Sequence, residues 1–234
     1  MKKLLFFFIS FWLIGCNNQT SKKNKDIITS TANYTLNGTI DFDATTVYLN
    51  KIRNDSLFKI DSSSINNKKF SFKGTIISPE RFALTFKKKL PVVIIILEPK
   101  DFSVFIKKKA FNDPKIIGSP LNTLLLSYKN TAKGIFKNID YLYPQFQKAR
   151  LENDVLKLQE IKQKMESIES GFTNYSYQFI KHHKNSYVAA MLLADHLKTT
   201  KIDTFRIKET YNLLPKKIQN SIDGKHVANW IKLH

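Results

Sequence analysis

The side chains able to do chemistry in this sequence are few and widely spaced. One cysteine, Cys16, supplies the only thiol, a group that acts as nucleophile or metal ligand when its pKa is lowered. His182, His183, Asp195 and His196 would make a zinc set if the fold gathered them. No His-Glu-x-x-His spacing is present, and adjacent histidines leave a helix on different sides, so they read as solvated or capping groups. Ser56-Leu57-Phe58-Lys59 matches a serine–lysine catalytic pair by letters, but that pair needs a helix and these residues begin a strand. Asp41, Asp43, Asp55 and Asp61 lie near strand ends without calcium-loop spacing and read as turn residues. Seven glycines form neither a phosphate loop nor a dinucleotide fingerprint. The expectation is no catalytic residue, no metal and no cofactor.

The surroundings of Cys16 point to a different use of its sulfur. Met1-Lys2-Lys3 precedes an apolar run of about a dozen residues, the layout of an export signal. That run is shorter than the roughly 20 residues needed to span a bilayer. Leu13-Ile14-Gly15-Cys16 resembles a bacterial lipobox, which implies cleavage before Cys16, a diacylglyceryl thioether on its sulfur and acylation of the new amine. Multiple acyl chains, at ~0.8 kcal/mol per buried CH₂, anchor durably where one chain does not. The resemblance therefore implies a mature chain without a free thiol, held in the cell envelope, with an outer membrane facing the periplasm as the expected location.

The formal charge is +19, falling to +17 if Lys2 and Lys3 are removed. Such an excess suits nucleic acid, anionic lipid or acidic polysaccharide. Nucleic acid is excluded as the expected partner because arginines number only four (Arg53, Arg81, Arg150, Arg206) and the lysines are scattered. Lys87, Lys88 and Lys89 close one predicted strand and Lys107, Lys108 and Lys109 another. Together they would form an anion or membrane-surface patch, or simply solvated strand ends.

Residues 16–32 are polar and aperiodic and read as a tether. Over 33–118, eight segments rich in β-branched and aromatic residues alternate with turn formers: YTLNGTI, TTVYLNKI, LFKIDSSSI, KFSFKGTII, RFALTF, PVVIIILEP, DFSVFIKK and PKIIG. Uninterrupted by helices, they predict an antiparallel sandwich or open barrel. VVIIIL is apolar on both faces and calls for cover on both, plausibly from helices. Over 119–234 the pattern is helical, giving an α+β chain. Ser119 with Pro120 starts one helix. Leu158, Ile161, Met165, Ile168, Phe172, Tyr175 and Phe179 form an a/d seam, with Asn153 or Asp154 as its cap. Residues 120–152 and 154–182 are thus predicted to pair as a helical hairpin, its seam packing within the chain or against a second copy. NSYVAAMLLADHL, DTFRIKETYNLL and SIDGKHVANWIKL predict further helices, the first amphipathic after an Asn185-Ser186 cap, the last with Val227, Trp230 and Ile231 on one face.

Taken in order, YTLNGTI, VYLNKI, KFSFKGTIISPERFALTF, LEPKDFSVFI and IIGSPLNTLLLSY, followed by NSYVAAMLL, YNLLP and SIDGKHVANWI, resemble the uncharacterised β-domain and helical linker of Bacteroidetes-type lipoproteins. In those proteins a thioredoxin-like, peroxiredoxin-related thiol–disulfide oxidoreductase domain follows. This sequence holds no Cys-x-x-Cys, so the resemblance carries over no catalytic residue and implies that the oxidoreductase domain is missing. The expected function is a lipid-anchored, non-enzymatic module that binds or scaffolds an envelope protein, peptide or glycan. Two alternatives stay open: an accessory that docks onto a separate thioredoxin-like protein, and a hydrolase built on the aspartates or histidines.

Overall fold

The computed structural model describes residues 32–53, 56–86 and 91–234. Cys16, its lipobox (Leu13, Ile14, Gly15), Asp55 and Lys87, Lys88 and Lys89 lie outside the described residues. The eight strands are β1 (Ala32–Ile40), β2 (Thr46–Arg53), β3 (Ser56–Ser64), β4 (Lys69–Ile76), β5 (Glu80–Phe86), β6 (Val93–Leu97), β7 (Asp101–Ile106) and β8 (Lys115–Ile117). They form two four-stranded sheets, ordered β4-β1-β7-β8 and β3-β2-β5-β6. One core lies between them, with Leu36, Phe72, Phe102 and Val104 from the first sheet against Val47, Leu49, Leu84 and Ile95 from the second. The result is a sandwich, not a closed barrel, because the strands fall into two separate sheets; period-two alternation in strands such as β4 turns one face of each into the shared core.

One pairing departs from the expected antiparallel pattern: β1 and β7 run parallel, Thr35 opposite Asp101 through Ile40 opposite Ile106. The chain crosses to the other sheet and back twice between them, through β2–β3 and then β5–β6, and that long excursion is what a parallel pair needs. The β3–β4 connection closes tightly. Asn67 and Lys68 both have positive φ, and Asn66 and Lys69 exchange backbone hydrogen bonds of 3.0 and 2.9 Å, the geometry of a primed hairpin turn.

Helices follow: α1 (Pro120–Leu151), α2 (Val155–His182), α3 (Tyr187–Asp195), a 3-10 turn (His196–Lys198), α4 (Thr204–Asn212), α5 (Lys216–Gln219) and α6 (Ile222–Leu233). Ser119 caps α1 and Asp154 caps α2, its side chain accepting from the Lys157 amide at 2.9 Å. The predicted seam packs against α1: Leu158, Met165 and Ile168 gather around buried Ile161, Leu142 and Ala149, and Tyr128 meets the rings of Phe172, Tyr175 and Phe179. The helix α3 corrects the amphipathic expectation, since every residue from Val188 to Ala194 is buried. Surrounded by α1, α2, α4, α5 and α6, it has no wet face. No helix among the described residues is long and apolar enough to cross a membrane.

Strand β6 joins the two halves. Val93, Ile95 and Leu97 enter the sandwich core, while Ile96 enters the core built by the helices. Its outer edge is closed by one side chain. Asn122, in the first turn of α1, accepts from the Ile96 amide at 2.9 Å and donates to the Ile96 carbonyl at 2.7 Å. The carboxamide thereby takes the place of a neighbouring strand's peptide group. Glu98, just past β6, accepts from the Ser119 hydroxyl and, at 3.2 Å, from the Leu121 amide, so the α1 N-terminus is held to the same strand. Gly118, at φ +89, makes the turn into that cap and lies close to the Asp101 carbonyl.

Asn122→Ala leaves a buried donor and a buried acceptor on Ile96 without partners. An unmade buried hydrogen bond costs about 1–3 kcal/mol per group, so the expected loss is about 2–3 kcal/mol in denaturant unfolding. The Ile96 amide should also exchange with solvent faster than its neighbours.

Candidate functional site

The sheet β3-β2-β5-β6 has two edges, and they are treated differently. On β6 Asn122 occupies the edge. On β3 no strand pairs along the opposite edge, which β4 approaches only near its C-terminal end, where the Ser71 amide donates to the Ser63 hydroxyl at 3.3 Å. Strand β3 also lies largely outside the core. Its partners in β2 turn Val47 and Leu49 inward, but β3 answers them with Ser63 and Asp61. A register shift after Leu49 leaves Ile60 as the extra residue, so the apolar run Leu57, Phe58 and Ile60 falls on both faces of the strand. These three side chains are 42, 56 and 48% exposed. Lys59 reaches over the Tyr48 ring at 5.5 Å, and Arg53, opposite Ser56, is paired with buried Glu80. The arrangement is an apolar strand edge with cations beside it, able to accept main-chain hydrogen bonds and side chains from an added extended segment.

Composition marks β3 as a strand but does not mark it as an open one. Its apolar residues at 57, 58 and 60 break period-two alternation in the same way that VVIIIL does, and the latter is covered on both faces while β3 is not. The broken alternation, joined to the run Ser62-Ser63-Ser64, was the available signal.

Of the two lysine runs, only the second falls within the described residues. Lys107, Lys108 and Lys109 are exposed just after β7. Phe86, the last residue of β5, packs its ring on Phe42 at 5.2 Å and near Phe111 at 6.2 Å, so the end of β5 and the loop after β7 lie at one end of the sandwich. Asp41 and Asp43 sit there too. Asp41 accepts from the Lys108 amide at 2.6 Å and Asp43 pairs with Lys68, so these aspartates pin loops. Asp61 lies elsewhere, opposite Leu49. Ser56 and Lys59 are on a strand, as expected.

The histidines and Asp195 do not come together, and no group of metal-ligating side chains is found among the described residues. His183 packs on the Phe179 ring at 4.4 Å. Asp195 instead accepts from the Arg81 guanidinium at 2.8 and 2.9 Å, and Asp223 does so at 3.2 Å. Arg81 belongs to β5, Asp195 to α3 and Asp223 to α6, so this cluster ties the sandwich to the helices. Burial alone would lower the Arg81 pKa, and its two carboxylates outweigh that and raise it. Burial holds Asp195 above its ordinary value despite Arg81, because one guanidinium is shared between two acids.

His196 corrects the expectation of a solvated group, being only 9% exposed. Its Nε2 lies 2.8 Å from the Ser176 Oγ, which also accepts from the Tyr128 hydroxyl at 3.0 Å. Serine and histidine at that distance have the spacing of a nucleophile and base. Ser176 is 1% exposed, however, and Tyr177 stacks on the imidazole at 4.3 Å with the Arg206 guanidinium over its other face, which seals the pair inside the packing. The group is a buried polar clasp of α1, α2 and the 3-10 turn. Burial, helped by nearby Arg206, lowers the His196 pKa to about 4.

Residues 34–125 match a protein family described as a domain of unknown function (DUF4369). The match covers the sandwich and ends inside α1, just beyond Asn122, so its span includes the side chain that closes β6. No curated protein matches the chain.

The lowered His196 value sets a pH dependence. Between pH 6.5 and about 4 the unfolded chain binds a proton that folded His196 does not, so stability is full above about 6.5 and falls as pH drops. At about 1.4 kcal/mol per pH unit, roughly 3 kcal/mol is lost across that window. In urea unfolding, the wild type should lose this increment between pH 7 and 4.5, and His196→Phe should not.

Proposed function

We propose that the protein is a lipid-anchored binding module of the cell envelope, without catalytic activity of its own, that takes up an extended polypeptide segment along the open edge of β3. The observation that carries the reading is the contrast between the two edges of one sheet. A nine-residue edge strand with exposed leucine, phenylalanine and isoleucine invites pairing with other chains. The same sheet closes its other edge with a dedicated asparagine. An edge left open beside one so closed has the form of a receptor for a strand. The export-type leader and the lipobox ending at Cys16 support placement at a membrane surface, with the outer membrane facing the periplasm as the favoured location. The match to a family of unknown function leaves the reaction chemistry and ligand to this surface reading.

A photo-crosslinking residue at Phe58, in cells making the full chain, tests both parts. The expected result is a discrete protein adduct in the membrane fraction, lost when Leu57 and Ile60 are changed to lysine with the crosslinker kept at position 58, and a diacylglyceryl-modified Cys16 in the mature protein by mass spectrometry. Lys225, exposed on α6, serves as a control position and should give no such adduct. A thioredoxin-like protein as the adduct would make the module an oxidoreductase accessory. Equal, diffuse labelling from both positions would overturn the strand-binding reading, and an alkylatable Cys16 thiol would overturn the anchor.

A further inference from the structure

The hairpin of α1 and α2 carries a second surface, remote from β3. Helix α1 passes Ile96 at Asn122 and reaches Asp113, in the loop between β7 and β8, at Lys129. It therefore runs antiparallel to β6 along the sandwich, and its last 22 residues extend about 33 Å beyond Lys129. At the far apex, Leu151, Val155 and Leu156 are 83, 71 and 81% exposed. Val155 opens α2 just past the end of α1 and stays 71% exposed. Three aliphatic side chains around a turn at the end of a long arm are costly to leave in water.

The neighbouring residues identify the medium that suits them. Over residues 133–164 the hairpin carries seven basic and four acidic side chains. Both acids at the apex are compensated: Glu152 pairs with Lys148 at 3.8 Å, and Asp154 caps α2. An apolar tip on a cationic shaft matches an anionic bilayer, whose acyl boundary lies just inside its negative headgroups. A second copy of this chain fits less well, because two apices would bring like charge together in a molecule of +19. We propose that the hairpin apex is a bilayer-contacting element that seats Leu151, Val155 and Leu156 in the headgroup–acyl boundary of an anionic membrane.

The test uses the full chain with Cys16→Ser, so that acylation cannot contribute, and an environment-sensitive NBD label at Leu156→Cys. The control label is at Glu169→Cys, farther back on α2. Phosphatidylglycerol-containing vesicles should shift the Leu156→Cys label to the blue with roughly two-fold brighter emission, the mark of an apolar surrounding. They should leave the Glu169→Cys label unchanged, and neutral phosphatidylcholine vesicles should act more weakly. Vesicles that recruit the chain through its apolar leader without moving the Leu156→Cys emission would overturn the proposal, as would failure to bind vesicles at all. A blue shift that rises with protein concentration before vesicles are added would assign the apex to self-association instead.

Discussion

A β-sheet edge is a row of hydrogen-bonding groups that must be satisfied, and the way this protein satisfies one of them organises everything else. On β6 the task falls to the Asn122 carboxamide, which forms both bonds to Ile96 that a neighbouring strand would form. Because Asn122 belongs to α1, closing the edge also fixes the origin of the helix. The Ser119–Glu98 contact fixes its N-terminus to the chain just beyond β6. From that point α1 must descend along the sandwich and continue past it, which places the hairpin. Ile96 turns its side chain toward the helices, so the joint is apolar as well as hydrogen-bonded.

A second tie works by charge. Arg81 on β5 holds Asp195 and Asp223, one from the most buried helix and one from the last. Each carboxylate by itself would be expensive so close to the core, and sharing a guanidinium offsets that cost only while the helices stay docked. Asparagine and arginine thus make the sandwich and helices interdependent. Bound to the sandwich on one side, the helices leave β3 untouched on the other, and the open edge and the hairpin apex face different surroundings.

Buried polar groups elsewhere follow the same economy. Tyr128, Ser176 and His196 satisfy one another inside the helical packing, and the imidazole there stays neutral because the surroundings penalise charge. The pair has the distance of catalysis but the burial of structure. Asp41 and Asp43 serve loops in a similar way, so residue types that promise chemistry in a one-dimensional reading are here consumed in holding elements together.

The sequence by itself determined the eight strands, the hairpin with a cap at Ser119 and another at Asn153 or Asp154, and the need to cover VVIIIL, because these depend on periodicity and on interactions within a few residues. The seam from Leu158 to Phe179 was legible for the same reason. Tertiary structure alone decided that β1 and β7 run parallel, that α3 is buried on every side, and that Asn122, Arg81 and His196 find partners across the fold. It alone decided that LFKI in β3 lies uncovered while VIIIL in β6 is sealed. Both are apolar strands by composition, and exposure is a property of what else the chain places beside them, which local spacing does not encode.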